Sequence, residues 1–464
     1  MAEFTYRSAI AGVTPEALSA WHLRPGAFER LVPPWESVRV EGEPTGLADG
    51  SRLRFSIRKG PLRFRWTALH RDLVPGVQFV DEQERGPYAR WVHTHRFLPG
   101  EAGGAILEDH VDYRLPLGWF GAALAGGATS SMLDRLFPFR HQRTRDDLLR
   151  HATFSRFGPQ RVAITGATGL VGSALAAFLS TGGHRVQRLV RRTPVSDQEI
   201  AWDPASGRVD LAALEGLDAV VHLAGRGIAE GRWSPAAKAA IRESRVGGTG
   251  AIARSLASLK RPPRVLVCAS AIGFYGDTGG TEVDETSPRG RGFLPEVCEA
   301  WEAAADPARS AGIRVVHLRI GVVLSAKGGA LARMLTPFRL GLGGVVGGGS
   351  QGMSWIALDD LIGAIQYALF TEALSGPVNA VAPVPATNRE FTRMLARLLR
   401  RPALLPLPAA AVRLLFGEMG QALLLEGARV LPRRLAESGF SHLHPTLEGA
   451  LRAELGRCPL EKGV

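Results

Sequence analysis

The sequence predicts an α/β chain: a doubly wound parallel sheet, preceded by an α+β domain and followed by a small helical cap. Three observations predict it. Before Phe157-Gly-Pro159 the residues alternate apolar and polar; after it, strand-like and helix-like runs alternate with glycine-rich turns; and from about Asn388 the chain becomes helical and rich in Leu and Arg. The expected domains are therefore 1–155, 159–385 and 386–464.

In the first segment, Ser51-Arg-Leu-Arg-Phe-Ser-Ile-Arg, Leu62-Arg-Phe-Arg-Trp-Thr-Ala-Leu-His, Ala89-Arg-Trp-Val-His-Thr-His-Arg-Phe and Ala105-Ile-Leu-Glu-Asp-His-Val-Asp-Tyr-Arg-Leu carry the period-2 pattern of antiparallel strands with one buried face. A helix from Ser130 to Arg150 closes the unit. His93 and His95, two apart on one strand face, resemble metal ligands. With no Cys or third His at ligand spacing, two core or solvent-side histidines and no metal are expected.

The second segment opens with Arg161-Val-Ala-Ile-Thr-Gly166-Ala-Thr-Gly169-Leu-Val-Gly172, a strand, three glycines and a helix running to Leu179. That order suits a dinucleotide. Gly166 permits the tight turn, Gly169 lets backbone approach a pyrophosphate, Gly172 lets helix and strand pack closely, and the helix N-terminus favours the anion. Thr168, Leu170 and Val171 complete this cradle. The next strand, His184 to Val190, ends at Arg191-Arg192, where an NAD site would carry an acid; two guanidiniums suit the 2′-phosphate of NADP. The competing explanation is composition, since the chain has 51 Arg and 5 Lys. Further strands are expected at Leu217–Gly225, which ends in a turn, Arg264–Ser270 and Ile313–Arg319. Pro402, Pro406 and Pro408 should break the C-terminal helices.

At 464 residues the chain is long enough for more than one core, and 45% hydrophobic with 22% charged residues is ordinary for a soluble globular protein. The net charge of +12 is spread rather than clustered, so no nucleic-acid partner is expected. Cys268, Cys298 and Cys458 show neither metal nor disulfide spacing, which fits a reducing cytoplasm. The N-terminus lacks a signal-peptide segment, and Leu115 to Leu133, though uncharged, is too diluted by Gly, Ser and Pro116 to span a membrane.

Gly166-Ala-Thr-Gly-Leu-Val-Gly172, Val221-His-Leu-Ala-Gly225, Ser270-Ala-Ile-Gly-Phe-Tyr-Gly276, Gly321-Val-Val-Leu, Pro337-Phe-Arg-Leu-Gly-Leu-Gly-Gly and Ser354-Trp-Ile-Ala-Leu-Asp-Asp together resemble the extended short-chain dehydrogenase/reductases with their Rossmann fold. Within them the chain resembles the epimerase-like branch once labelled cell-division-inhibitor related, over roughly 160–455, including the DUF1731-type region at Leu424-Leu-Glu-Gly-Ala-Arg-Val-Leu-Pro. Residues 1–150, with Phe79-Val-Asp-Glu-Gln and His93-Thr-His-Arg-Phe, resemble the START-like (SRPBCC, helix-grip) superfamily of apolar-ligand carriers, a domain known in front of that branch.

The resemblance implies a Tyr and, four residues on, a Lys that lowers the Tyr pKa and binds the nicotinamide ribose, with a Ser polarising the substrate oxygen. Counting from Ser270 and anchoring on Glu302, the register puts Leu294 and Cys298 in those places, and neither can do the work. Ser270 and Tyr275 are the remaining catalytic candidates; the plainer readings are a hydroxyl bonded to its own turn and a packed ring. Leu223, Ala224 and Gly225, together with Val323, should line the cofactor, His222 is read as structural, and Arg245 reaches for a cofactor phosphate. No local feature would lower the pKa of Cys298 enough to make it a nucleophile. The expected function is an atypical NADP-binding oxidoreductase or epimerase acting on a small organic molecule; the alternative is a non-catalytic NADP-dependent sensor or ligand-binding protein.

Overall fold

The computed structural model describes residues 2–42 and 46–457. Cys458 lies outside the described residues. The chain divides into two compact units: the described residues of Met1–Arg156, Ser180–Gly183 and Ala453–Val464, and Phe157–Leu179 with His184–Arg452.

The first unit runs β1 (Ala2–Ile10), α1 (Pro15–Leu23), α2 (Ala27–Leu31), β2 (Ser37–Val40), β3 (Arg52–Lys59), β4 (Leu62–Val74), β5 (Gln78–Arg85), β6 (Arg90–Pro99), β7 (Ala105–Arg114) and α3 (Gly118–Thr153). Its seven strands form one antiparallel sheet in the order β1-β7-β6-β5-β4-β3-β2. Thr14 caps α1 by accepting from the Ala17 N–H, with Pro15 supplying a ready-made first turn. Ile10, Leu18, Trp21, Phe79, Phe97 and Leu107 form one buried cluster, and Trp91, Val111, Tyr113, Leu133 and Phe137 another. The helix begins twelve residues before the expected Ser130, because the uncharged Gly- and Ala-containing stretch joins it. Among the described residues no helix is long and apolar enough to cross a membrane.

The second unit begins with β8 (Arg161–Thr165), α4 (Leu170–Thr181), β9 (Arg185–Val190), β10 (Glu199–Asp203), β11 (Arg208–Val209), α5 (Leu211–Leu214), β12 (Ala219–His222), α6 (Pro235–Ala257) and β13 (Val265–Ala271). It continues with β14 (Glu282–Val283), α7 (Phe293–Ala303), α8 (Asp306–Ser310), β15 (Arg314–Ile320), β16 (Val322–Leu324), α9 (Gly329–Arg339), β17 (Gly352–Met353), β18 (Trp355–Ala357), α10 (Leu358–Phe370) and β19 (Gly376–Ala380). The main sheet has the order β11-β10-β9-β8-β12-β13-β15-β19 and is parallel except at its β10–β11 edge. Strand order reverses at β8, so the crevice for a ligand opens where β8 and β12 end. Both faces are covered: Ala163, Val220, Leu266 and Val315, register neighbours on one face, are buried with Ile252 of α6 in one apolar cluster, and Ile164, Val221, Val267 and Val316 on the other face are equally inaccessible. Residues 386–452 belong to the same compact unit, with α11 (Asn388–Leu399) entered through a Thr387–Glu390 capping box and separated by the proline-rich stretch from α12 (Ala409–Gly420).

Candidate active site at the strand ends

Each glycine of the first turn has a distinct steric reason to be there. Gly166 has φ +67°, and a Cβ on it would lie 2.9 Å from the Leu223 carbonyl carbon. A Cβ on Gly172 would come within 2.2 Å of the Gly166 carbonyl oxygen, so α4 packs on the turn with no room for a side chain. At Gly169 a Cβ would meet only the Gly166 oxygen, at a tight 3.3 Å; the exposed position lies at the start of α4. Thr168 and Gly169 are exposed beside half-buried Leu170 and Val171. A Cβ on Gly328, in the loop after β16, would touch Leu170 Cδ1 at 3.4 Å, which places the Val323 strand end against the same turn.

The opposite wall is held by Thr165. Its Oγ1 accepts from the N–H groups of Leu223 and Ala224 at 3.1 and 3.2 Å and lies 2.8 Å from His222 Nδ1. Both lone pairs are used, so the hydroxyl proton goes to Nδ1 and His222 is the neutral Nε2–H tautomer. Burial lowers its pKa to about 4, in keeping with a structural histidine. Arg245 on α6 lies over the Trp301 ring at 5.1 Å, and a Cβ on exposed Gly225 would be 3.8 Å from its guanidinium carbon. Its Nη1 donates to the Ile241 carbonyl.

The arginine pair after β9 divides. Arg192 is bound in two-point fashion by Glu199 of β10, at 2.8 and 2.5 Å, so its charge is already matched. Exposed Arg191 makes no hydrogen bond or ion pair among the described residues. The two are not equivalent, contrary to the paired reading.

Register brings Ser270 of β13, Arg319 of β15 and Asn379 of β19 side by side across the C-terminal strand ends. Arg319 donates Nε and Nη2 to the two oxygens of Glu302, each at 2.8 Å, and Nη1 to Tyr275 Oη at 3.0 Å. Its guanidinium carbon stands 3.4 Å from the Phe274 ring centroid. Tyr275 in turn donates to Asn379 Oδ1 at 2.8 Å. Ser270 donates to Glu302 Oε1 at 2.7 Å. The two catalytic candidates differ in their surroundings. Tyr275 is 3% exposed, bonded to Asn379 and raised in pKa by burial, the surroundings of a packed ring, which is the plainer of its two readings. Ser270 is bonded to a carboxylate on α7 rather than to its own turn, and since carboxylates only accept, its one proton is engaged by Glu302 in this structure.

Leu294, Cys298 and Glu302 recur every fourth residue on α7 and share one face. A Cβ on Gly273 would lie 3.4 Å from Leu294 Cβ and 3.7 Å from Cys298 Sγ, so that face meets the loop after β13. Burial, followed by the charge of Glu302, pushes the Cys298 thiol up to about 12, and burial does the same to Cys268; neither is a nucleophile near neutrality. The Arg319–Glu302 fork was not anticipated from sequence. Its signal was an arginine inside an otherwise buried strand, Arg314-Val-Val-His-Leu-Arg-Ile.

Comparison with known proteins places this geometry. The NAD dependent epimerase/dehydratase family matches residues 162–379, and the domain of unknown function DUF1731 matches 407–454. Epimerase family protein Mb2239 of Mycobacterium bovis is 46% identical over 290 residues, 62% of this chain and 96% of that protein. The chain belongs to this epimerase family. Another member, human epimerase family protein SDR39U1, is 38% identical over 296 residues, 63% of this chain and 98% of its own. Among solved structures, this epimerase-family chain is similar to a nucleoside-diphosphate sugar epimerase from Corynebacterium glutamicum, with TM-score 0.81 and 34% identity over 99% of this chain and 91% of that one. Human SDR39U1 isoform 2, solved with NADPH, gives TM-score 0.58 and 37% identity over 64% of this chain and 99% of its own.

Proposed function

We propose that this epimerase-family chain binds NADP and acts through it on a small organic substrate without the usual Tyr–Lys pair. The observation that carries the reading is the bare turn at Gly166, Gly169 and Gly172, where backbone alone faces the start of α4. Gly166, Thr168, Gly169, Leu170, Val171 and Gly172 would hold the pyrophosphate. Arg191 would meet the 2′-phosphate, with Arg192 reaching it only on leaving Glu199. Leu223, Ala224, Gly225 and Arg245 would line the adenine-ribose side and Val323 the opposite rim. A relative solved with NADPH supports the choice of nucleotide. The bound cofactor would supply hydride exchange at its nicotinamide ring. Calorimetry tests the reading: NADP should bind more tightly than NAD by roughly 1.5–3 kcal/mol, the worth of charge-assisted hydrogen bonds. Equal affinities, or no binding of either, overturn it.

A second reading, an NADP-dependent sensor or ligand-binding protein, is favoured by Leu294 and Cys298 in the Tyr and Lys places and by the commitment of the Ser270 proton to Glu302. The two part on turnover: only the first converts members of a supplied panel of ketones, aldehydes and secondary alcohols, with net NADPH consumption if it reduces them and without it if it epimerises them. For the first unit we propose a START-like ligand carrier for an apolar molecule. The support is two short helices between β1 and β2 and a long final helix after a seven-stranded antiparallel sheet. We place the protein in the cytoplasm on its cysteine usage.

A further inference from the structure

The antiparallel register of the first unit gathers histidines and carboxylates that are scattered in sequence. Asp81 on β5 stands directly opposite His93 on β6, with His70 on its other side on β4; His95, two residues on, stands opposite Asp109 on β7. All five therefore point to one face of the sheet. His93, His95 and Asp109 are nearly inaccessible, at 3%, 4% and 2% exposure.

We propose that Asp81, His93 and His95 form a site for a divalent first-row transition metal, of which Zn²⁺ is the one to test. One ligand atom from each lies within 4.8 Å of the other two. His95 Nε2 and Asp81 Oδ2 are 3.4 Å apart, long for a hydrogen bond between such groups. Two ligands at 2.0–2.2 Å in tetrahedral array are about 3.4 Å from each other. Around them is the shell that metal-bound imidazoles need to fix ring orientation. Asp109 Oδ1 is bonded to His93 Nε2 at 2.9 Å and its Oδ2 to His141 Nε2 at 2.8 Å; Oδ1 also lies 2.7 Å from His95 Nδ1, close but out of line for a hydrogen bond. His141 is fixed from behind by Ser8 at 2.7 Å. His70 Nδ1 holds Asp81 Oδ1 at 2.6 Å, which leaves Oδ2 to face His95. The Asp81 side chain is 26% exposed, against 4% and 5% for His93 and His95, and is the least enclosed of the three. Three protein ligands leave a fourth tetrahedral position for water or for an oxygen of a molecule carried by this unit, the arrangement of a working rather than a purely structural zinc site. The spacing argument against a metal looked along one strand, whereas the third ligand comes from the neighbouring one.

The test uses the full chain stripped with chelator and titrated with Co²⁺ alone, then Zn²⁺. Visible ligand-field bands of tetrahedral strength should rise to one ion per chain and be abolished by Zn²⁺. Asp81→Asn and His95→Gln should each weaken Co²⁺ binding by roughly a hundredfold or more. Circular dichroism and dinucleotide affinity, the latter belonging to the second unit, report whether each variant is folded. His110→Ala controls for the outer-face grouping of Glu3, His110 and Asp112, and should leave the bands intact. Absent or weak octahedral-type bands in the unmodified protein, or bands that survive both ligand variants, overturn the proposal and leave a metal-free hydrogen-bond network.

Discussion

At the scale of single residues, the glycine turn makes a sharp demand. Gly169→Val would bring a Cβ to 3.3 Å from the Gly166 carbonyl oxygen, a tight but not prohibitive contact, and set two methyls at the start of α4, so NADP binding should be lost with a much smaller effect on the unfolding temperature. Calorimetry and a thermal melt on one sample check both halves. Arg191→Ala should cost most of the NADP over NAD preference and Arg192→Ala much less, because Glu199 already engages Arg192; equal losses would show that the ion pair opens on binding. Arg319 is tied to Glu302 with side-chain exposures of 5% and 13%. Arg319→Leu leaves that carboxylate unmatched and should destabilise the chain by roughly 3–5 kcal/mol in urea unfolding, with Arg319→Leu/Glu302→Leu costing less than the single change.

At the scale of elements, α7 decides whether ordinary family chemistry can be restored. The Cys298 site is buried and lies within electrostatic reach of both Arg245 and Arg319. Cys298→Lys should therefore lower stability by roughly 2–5 kcal/mol. Leu294→Tyr with Cys298→Lys should not recover carbonyl reduction, because the ammonium enters a buried place within reach of two guanidiniums, with the one nearby carboxylate, Glu302, already forked to Arg319. NADPH consumption with generic ketones is the measurement. The α7 register was legible because a helix repeats every fourth residue within a few turns, and the cradle was legible because its three glycines lie in one short segment. Ser270, Arg319 and Asn379 became neighbours only through the pairing of three parallel strands, and Asp81, His93 and Asp109 through the pairing of three antiparallel ones. No local pattern announces register between distant strands. The division between Arg191 and Arg192 was hidden for the same reason, since Glu199 belongs to the next strand.

At the scale of the molecule, buried histidines shape the response to acid, and those of the second unit include His222 and His317. Burial holds His222 and His317 at about 4 against an ordinary 6.5, and His317 Nε2 receives a hydrogen bond from Arg309 at 3.2 Å. Between pH 6.5 and 4 the unfolded chain binds protons that the folded chain refuses, so their contribution is complete above 6.5 and drains away as pH falls toward 4. Each contributes up to about 3 kcal/mol, so the urea midpoint should drop markedly from pH 7.5 to 4.5, and His222→Asn should flatten that slope. The crevice at the β8–β12 reversal has a kinetic meaning as well. Its walls come from segments near 166, 224 and 328 that meet only once the sheet is assembled. A dinucleotide at a hundred times its Kd would add about 2.7 kcal/mol to that assembled state and nothing to the unfolded one. Newly made chain would then be most exposed to proteolysis where the nucleotide pool runs low, and how long each copy survives would be set by metabolic state as well as by sequence.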